Sequence, residues 1–333
     1  MKEGKVAIIG AGSWGTALGT VLHTNGFDVF IWTIDEEQVK EIEDTGYNKK
    51  YLPETLLSKD IIFTTNFKEA VEGAKIVITA VPSAVTKKVV NDHKDLFNNE
   101  QIIVNVSKGF APSGERLSVA IKESLPNNKV VILSGPSHAE EVAQKKATVL
   151  VATSEDLSCA EYIQMIFSNP YFRVYTNTDV IGVEIGGALK NVIALIAGAI
   201  DGIGLGDNTK AALMTRGMSE IAKFGVSQGA KLETFYGLTG MGDLIVTCGS
   251  VHSRNRRAGM LLGQGRELED VLKEVGMVVE GLEALKIMKS IKVESSLTPI
   301  INELYAVLFT DKTPKEALSE LMSREYKREI DFL

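Results

Sequence analysis

From Lys5 to about Tyr175 the chain repeats one arrangement, and after Thr178 it abandons it. Short runs rich in β-branched residues recur through the first stretch: VAIIG, DVFIW, IIFTT, KIVITAV, QIIVNVS, VVILS, ATVLVAT and FRVYT. Each reads as a strand, because branched side chains suit a pleated, buried surface. Helix-length segments such as EEQVKEIEDTG, AVTKKVVNDH, GERLSVAIKESL and DLSCAEYIQMIF lie between most of them. Strand alternating with helix predicts a mostly parallel sheet covered on both faces. Beyond Thr178, apolar residues fall at helical spacing in TKAALMTRGMSEIAKFGV, LEDVLKEV, GLEALKIMKSI, TPIINELYAVLF and PKEALSELMSR. That pattern predicts an all-α second half. The change of period marks the expected domain boundary, with residues 1–180 in one domain and 181–333 in the other. No repeat or low-complexity tether separates them, so a shared crevice is the default ligand site.

The 333 residues are enough for two cores, and 44% hydrophobic with 7% aromatic content is ordinary for a globular chain. A net charge of -7 argues against nucleic acid or an anionic membrane as the main partner, since either needs a basic face. Cys159 and Cys248 are too few for a disulfide framework and read as small buried residues. The start MKEGK runs straight into VAIIG, and the longest uncharged apolar run, Val192 to Ile200, is about half of the roughly 20 residues a membrane span needs. A cytoplasmic protein with no integral membrane segment is expected.

Gly10-Ala11-Gly12-Ser13-Trp14-Gly15 follows the strand VAIIG and opens the helix-forming segment SWGTALGTVLHTNG. In a dinucleotide-binding βαβ unit Gly10 would make the tight turn, Gly12 would let the backbone approach the pyrophosphate, and Gly15 would let helix and strand pack closely. Ser13 and Trp14 would then lie nearest the phosphates, at the helix N-terminus. Asp35, after the second strand, has two uses open to it: holding the ribose of NAD, or capping the next helix in the pattern Asp35-Glu36-Glu37-Gln38. No Lys or Arg occurs from His23 to Val39, so nothing in that segment would pair the 2'-phosphate of NADP, and NAD(H) is favoured.

Lys190 sits in IGGALKNVIALIAGAIDGIGLG among Gly, Ala, Ile and Leu, with no acidic residue within four positions. An ammonium buried there without a partner loses hydration worth several kcal/mol. It either snorkels to water or does chemistry. Its side chain leans back over Gly186 and Gly187, where missing side chains would leave room for a small molecule, and burial near Lys108 would lower its pKa toward that of a proton donor and acceptor. Lys108 and Gly135 follow the strands QIIVNVS and VVILS, at the strand ends where ligands bind in such sheets; alone, they are also consistent with a loop lysine and a plain turn. The run Ser253-Arg254-Asn255-Arg256-Arg257 concentrates three arginines in an acidic chain and offers the fork geometry that clamps phosphate, unless it is only a solvated helix start.

Taken in order, GAGSWGTAL, VPS, SKG, SGPSHAEEVA, FRVYTN, the run from IGVEIGGALKN to MTRG, GMGDLIVTC, SRNRR and VVEG resemble bacterial-type NAD(P)-dependent glycerol-3-phosphate dehydrogenase over nearly the whole chain. The resemblance implies an α/β, Rossmann-like N-terminal domain followed by an all-α C-terminal domain, the 6-phosphogluconate-dehydrogenase-like arrangement. It implies interconversion of dihydroxyacetone phosphate and sn-glycerol 3-phosphate with NAD(H) or NADP(H), no metal, and a homodimer supplying phospholipid synthesis. Carried over by position, Ser13, Trp14, Lys108, Ala139, Arg254, Val278 and Glu280 resemble the cofactor contacts, with Tyr51 added. Lys108, Gly135, Ser137, Lys190, Asp243, Ser253, Arg254 and Asn255 resemble the substrate set, and Lys190 the catalytic proton acceptor. Ile34 departs from relatives that carry His or Arg near the 2'-phosphate, which puts NADPH use in doubt.

On that reading Lys190 supplies the proton to the C2 alkoxide, Lys108 stabilises the same charge, Asp243 orients Lys190 or the C1 hydroxyl, and Arg254 and Asn255 hold the phosphate. Two other functions compete. One is a related two-domain dehydrogenase of a β-hydroxy acid or nucleotide sugar, for which Cys248 could serve as thiol nucleophile. The other is a silent NAD(H)-sensing module.

Overall fold

The computed structural model describes residues 4–291, 294, 296–326 and 328–329. The expected domain limits at Met1 and Leu333 fall outside the described residues. The chain divides into two compact units, Met1–Glu184 and Ile185–Leu333.

In the first unit the strands are β1 (Lys5–Ile9), β2 (Asp28–Trp32), β3 (Tyr47–Asn48), β4 (Leu52–Leu56), β5 (Ile62–Thr64), β6 (Ile76–Thr79), β7 (Ile102–Asn105), β8 (Lys129–Ser134), β9 (Thr148–Thr153) and β10 (Phe172–Asn177). The helices among them are α1 (Ser13–Thr24), α2 (Glu36–Thr45), α3 (Phe67–Val71), α4 (Ser83–Asp92), α5 (Leu117–Ser124), α6 (Ala139–Ala143) and α7 (Leu157–Phe167). The eight β-branched runs form one sheet in the order β10-β9-β8-β7-β6-β1-β2-β5. Neighbours are parallel except β8 and β9, which pair antiparallel with Ile132 opposite Thr153. The connection there holds only the five-residue α6, so the chain turns back beside β8 instead of crossing a face on a full helix.

Both faces of this sheet are buried, which is why its strands are almost continuously apolar. Along β1, Val6 and Ile8 enter the core under α1 and α7, while Ala7 and Ile9 enter the core under α3 and α5. The period of two along the strand thus feeds both layers. β3 and β4 form a separate antiparallel hairpin that the periodicity missed. Its sequences, YN and LPETL, are short, carry a proline and show no alternation of apolar and polar residues, so they send no strand signal.

The second unit is helical. After α8 (Val180–Ile203) come α9 (Asp207–Ser227), α10 (Leu232–Phe235), a π-helical turn (Leu238–Gly242), α11 (Asp243–Gly249), α12 (Arg254–Gly263), α13 (Leu268–Val275), α14 (Glu280–Ser290), α15 (Pro299–Phe309) and α16 (Pro314–Met322). Helix α8 is long and apolar enough to cross a membrane, yet 89% of its apolar window is buried inside the protein, so it reads as a core helix. Its first turn belongs to the first unit. There Glu184, buried, accepts Ser118 N at 2.8 Å and Arg116 at 3.0 Å, and burial pushes its carboxyl above the ordinary range.

Helices α8 and α12 cross backbone to backbone. Gly198 and Gly202 lie four apart on α8, and Gly259 and Gly263 four apart on α12. A Cβ on Gly198 would fall 1.9 Å from the Arg256 carbonyl oxygen, and one on Gly259 would fall 1.8 Å from that of Leu195. Only glycine fits either place, so the reciprocal pairs set how closely the two helices approach.

Candidate active site

In the first unit the glycine turn follows β1, the strand from which the order runs outward in both directions through β2 and β6. Ligands bind at such a switch, outside the carboxyl ends of the strands. Gly10 has φ of +120° and a Cβ there would meet the Ala80 carbonyl oxygen at 2.7 Å; one on Gly15 would meet the Gly10 carbonyl oxygen at 2.0 Å. Gly12 differs, since a Cβ there would meet nothing within 4 Å. It caps α1 without a side chain, so nothing of the cap residue stands between the helix start and that open space. A pyrophosphate fits that cradle by charge and by room.

A buried amide network holds the turn in shape. The Ala11 carbonyl accepts from Gln38 Nε2 at 2.8 Å and from Asn48 Nδ2 at 2.9 Å, and Asn48 also donates to Thr16 Oγ1 at 3.0 Å. Ser13 Oγ donates to the Tyr51 carbonyl at 2.8 Å, which brings Tyr51 beside the turn. Trp14 packs against the sheet core, its Nε1 buried with no hydrogen-bond partner among the described residues. Asp35 is a helix cap, accepting from Gln38 N at 3.0 Å. The capping box is only half formed, because the Gln38 side chain turns inward to Ala11, Thr33 and Asn48. The sequence reading placed Gln38 only in the cap pattern and missed Asn48, because the partners they hold lie on other elements.

At the ends of β7 and β8 the structure brings three expected residues together. Lys108 Nζ and Ser137 Oγ both donate to the Gly135 carbonyl, at 2.8 and 3.0 Å. Gly135 has φ of +139°, which only glycine takes without strain. Ala139 opens α6 just beyond.

The second unit corrects the picture of Lys190 as an unpartnered charge. It is 5% exposed and donates to Asp243 Oδ1 at 2.8 Å and Thr247 Oγ1 at 2.6 Å. The acid lies 53 positions away in sequence, beyond the reach of local inspection. Asp243 and Thr247 stand four apart on α11, hence on one face, and Thr247 Oγ1 in turn donates to the Asp243 carbonyl at 2.6 Å. Thr247 went unnoticed, although the spacing from Asp243 carried that signal. The space over Gly186 is also not a ligand void: a Cβ there would meet the Thr239 carbonyl oxygen at 3.0 Å. The glycine lets α8 pack on the π-helical turn that delivers Asp243.

The SRNRR run separates into different uses. Ser253 is buried and caps α12, accepting from Arg256 N at 3.2 Å. Arg256 holds Asp201, which also holds Lys210, and Arg257 lies 3.7 Å from Glu274. Arg254 is exposed and, among the described residues, has no carboxylate partner. Asn255 points inward, its Nδ2 donating to Asn191 Oδ1 at 3.0 Å and its Oδ1 accepting from Gly281 N at 2.9 Å. That clasp fastens the start of α14, with Val278 and Glu280, beside the start of α12 with Arg254. Asn191 is a further residue the sequence reading missed.

Cys159 and Cys248 are both buried and free. Burial pushes the Cys248 thiol up to about 12, so it is no thiolate at neutral pH and a thiol-nucleophile chemistry loses its reagent.

A doubly wound sheet with its glycine turn at the switch strand, continued by a helical unit that seats a buried lysine on a carboxylate, is the build of a two-domain nicotinamide-dinucleotide dehydrogenase. Family models for the N-terminus and the C-terminus of NAD-dependent glycerol-3-phosphate dehydrogenase match residues 5–160 and 179–319. The chain belongs to that family. It is 51% identical over 327 residues to the glycerol-3-phosphate dehydrogenase (NAD(P)+) of Clostridium perfringens (strain SM101 / Type A), covering 98% of this chain and 99% of the relative. The enzyme of the same name from Fusobacterium nucleatum subsp. nucleatum is also 51% identical, over 98% of each chain. The crystal structure of glycerol-3-phosphate dehydrogenase from Coxiella burnetii superposes with a TM-score of 0.91 at 33% identity, over 97% of this chain and all of that one.

Proposed function

We propose that this protein interconverts dihydroxyacetone phosphate and sn-glycerol 3-phosphate with NAD(H) or NADP(H), the first unit binding the dinucleotide and the second the substrate. The observation that carries the reading is the buried Lys190 seated on Asp243 and Thr247 in a chain of this family. Bound NAD(P)H supplies the hydride to C2. Lys190 gives a proton to the C2 oxygen in reduction and takes it back in oxidation, a contribution of roughly 10² to 10⁴ in rate. Asp243 and Thr247 fix the position of its Nζ. Lys108, steadied by the Gly135 carbonyl, stabilises the charge developing on the same oxygen, and Gly135 and Ser137 shape the substrate's surroundings.

Arg254 takes the phosphate. Asn255 contributes the second hydrogen of its Nδ2, while its Oδ1 holds Gly281 and thereby Glu280 and Val278, which complete the cofactor contacts with Ser13, Trp14, Tyr51 and Ala139. The same reading extends to a cytoplasmic homodimer feeding phospholipid synthesis, without a nucleic-acid partner or an integral membrane anchor; the acidic charge and the burial of α8 support it. A silent NAD(H) sensor would have no use for a lysine held this way. NADH oxidation on addition of dihydroxyacetone phosphate tests the proposal. Oxidation that instead follows a β-hydroxy acid's keto form, or no oxidation with either, would overturn it.

A further inference from the structure

The end of β2 opens on a recess of about 480 Å³ lined in part by Thr33, Ile34, Glu36, Glu37, Lys50 and Tyr51. In a doubly wound sheet this is where the adenosine ribose is read: a carboxylate favours its free 2'-hydroxyl, and a nearby cation accommodates a 2'-phosphate. The local strand-to-helix segment offers no cation, and Ile34, 84% exposed, offers no polar group. Asp35 is committed to its helix cap. Glu36 and Glu37 in the first turn of α2 therefore present negative charge alone.

Among the described residues, the one cation lining the recess, Lys50, comes from the β3–β4 hairpin, and the hairpin is pinned on both sides of it. Asn48 is tied to Ala11 and Thr16, and the Tyr51 carbonyl receives Ser13 Oγ. Lys50 lies between these anchors with its ammonium 5.3 Å from the centre of the Tyr51 ring. Among the described residues it has no carboxylate partner.

We propose that Lys50 is the residue that admits the 2'-phosphate, opposed by Glu36 and Glu37, so that cofactor choice is set from the hairpin and not from the end of β2. This rests on the dinucleotide reading above. One ammonium against two carboxylates leaves the free 2'-hydroxyl favoured, with the phosphorylated ribose accepted through Lys50 alone.

Calorimetric titration of the full chain with adenosine 5'-monophosphate and adenosine 2',5'-bisphosphate isolates the 2'-phosphate without turnover. Lys50→Ala is expected to weaken the bisphosphate about 5- to 20-fold, as loss of one partly exposed charge-assisted contact, and to move the monophosphate less than about twofold. Lys50→Arg should keep most of the bisphosphate affinity. Equal shifts for both ligands, or no shift for either, would overturn the proposal, as would a wild type that binds the monophosphate but not the bisphosphate. Turnover of dihydroxyacetone phosphate with NADH, run beside these titrations, separates the two levels: turnover with an insensitive Lys50→Ala sinks only the hairpin assignment, whereas absent turnover sinks the functional reading beneath it.

Discussion

Replacing Lys190 by methionine separates what the lysine does for the fold from what it does for the reaction. The side chain is 5% exposed and Asp243 is 1% exposed, with 2.8 Å between Nζ and Oδ1. Methionine keeps the stem and its packing against α11 but removes the ammonium, so the carboxylate stays buried without its counter-charge. Breaking one side of a buried pair costs about 3–5 kcal/mol. At roughly 2–4 °C per kcal/mol for a unit of this size, Tm should fall by about 6–20 °C. The double variant Lys190→Met/Asp243→Asn removes both charges with near-isosteric groups, and a neutral, packed pair is often no less stable than the ionic one. It should therefore recover more than half of the loss, with a coupling of at least about 2 kcal/mol in the double-mutant cycle.

Catalysis should not follow stability. Both variants lack the proton donor and should turn over at least about 100-fold more slowly, at temperatures where each is folded, with the affinity for NADH little changed. Thermal denaturation with circular dichroism and stopped-flow NADH oxidation read the two quantities. If Lys190→Met melts within about 2 °C of wild type, the pair has no energetic weight and the argument from burial fails. If its turnover stays within about tenfold, the lysine is not the proton donor.

The remaining expectations bear on three other places. Arg254→Ala should raise KM for dihydroxyacetone phosphate roughly ten- to a hundredfold, and Arg254→Lys should restore only part, because charge returns without the fork; unchanged steady-state kinetics in the alanine variant would place the phosphate elsewhere. Gly259→Ala would set a methyl 1.8 Å from the Leu195 carbonyl oxygen and should cost at least about 3 kcal/mol in chemical denaturation; a normal midpoint would refute the helix contact. Burial pushes Glu220 up to about 8, against the weaker pull of the Ile300 and Ile301 amides, so above its unfolded value near 4.5 the folded protein keeps a proton the unfolded chain has lost. Stability from this group is then fullest below about pH 4.5 and drains as pH rises to about 8, by at most about 1.4 kcal/mol per unit. Glu220→Gln should flatten Tm against pH between about 6 and 8, and parallel curves for the two proteins would contradict it.

What could be read without coordinates follows the range of each physical signal. Strand periodicity is local, and all eight sheet strands were legible from it; the β3–β4 hairpin was not, because YN and LPETL hold a single branched residue, Thr55, and no alternation. The glycine turn was legible because its neighbours along the chain are its neighbours in space. Lys190 announced itself by being out of place, but its neighbours along the chain did not give its partner; Asp243 was reached only through the family resemblance, since the pairing is made by helix packing across 53 positions. The same limit hid Lys50: a search for cations confined to the residues after β2 missed one that a hairpin carries back to them.

The arginine run shows how much a fold can narrow a signal that composition leaves broad. Three guanidiniums in four residues suggest a wide basic patch, yet Arg256 is held by Asp201 and Arg257 faces Glu274, so much of that charge is neutralised within the unit. Arg254 remains, at the first position of a ten-residue helix. Ser253 Oγ takes the Arg256 amide, the other first-turn amides of α12 have no helical carbonyl to meet, and the helix start carries partial positive charge. A dianionic phosphate there would meet one forked side chain and the backbone together. That division of labour explains why a single arginine can suffice in a chain of net charge -7, and why its loss should weaken substrate binding by one to two orders of magnitude and not abolish it.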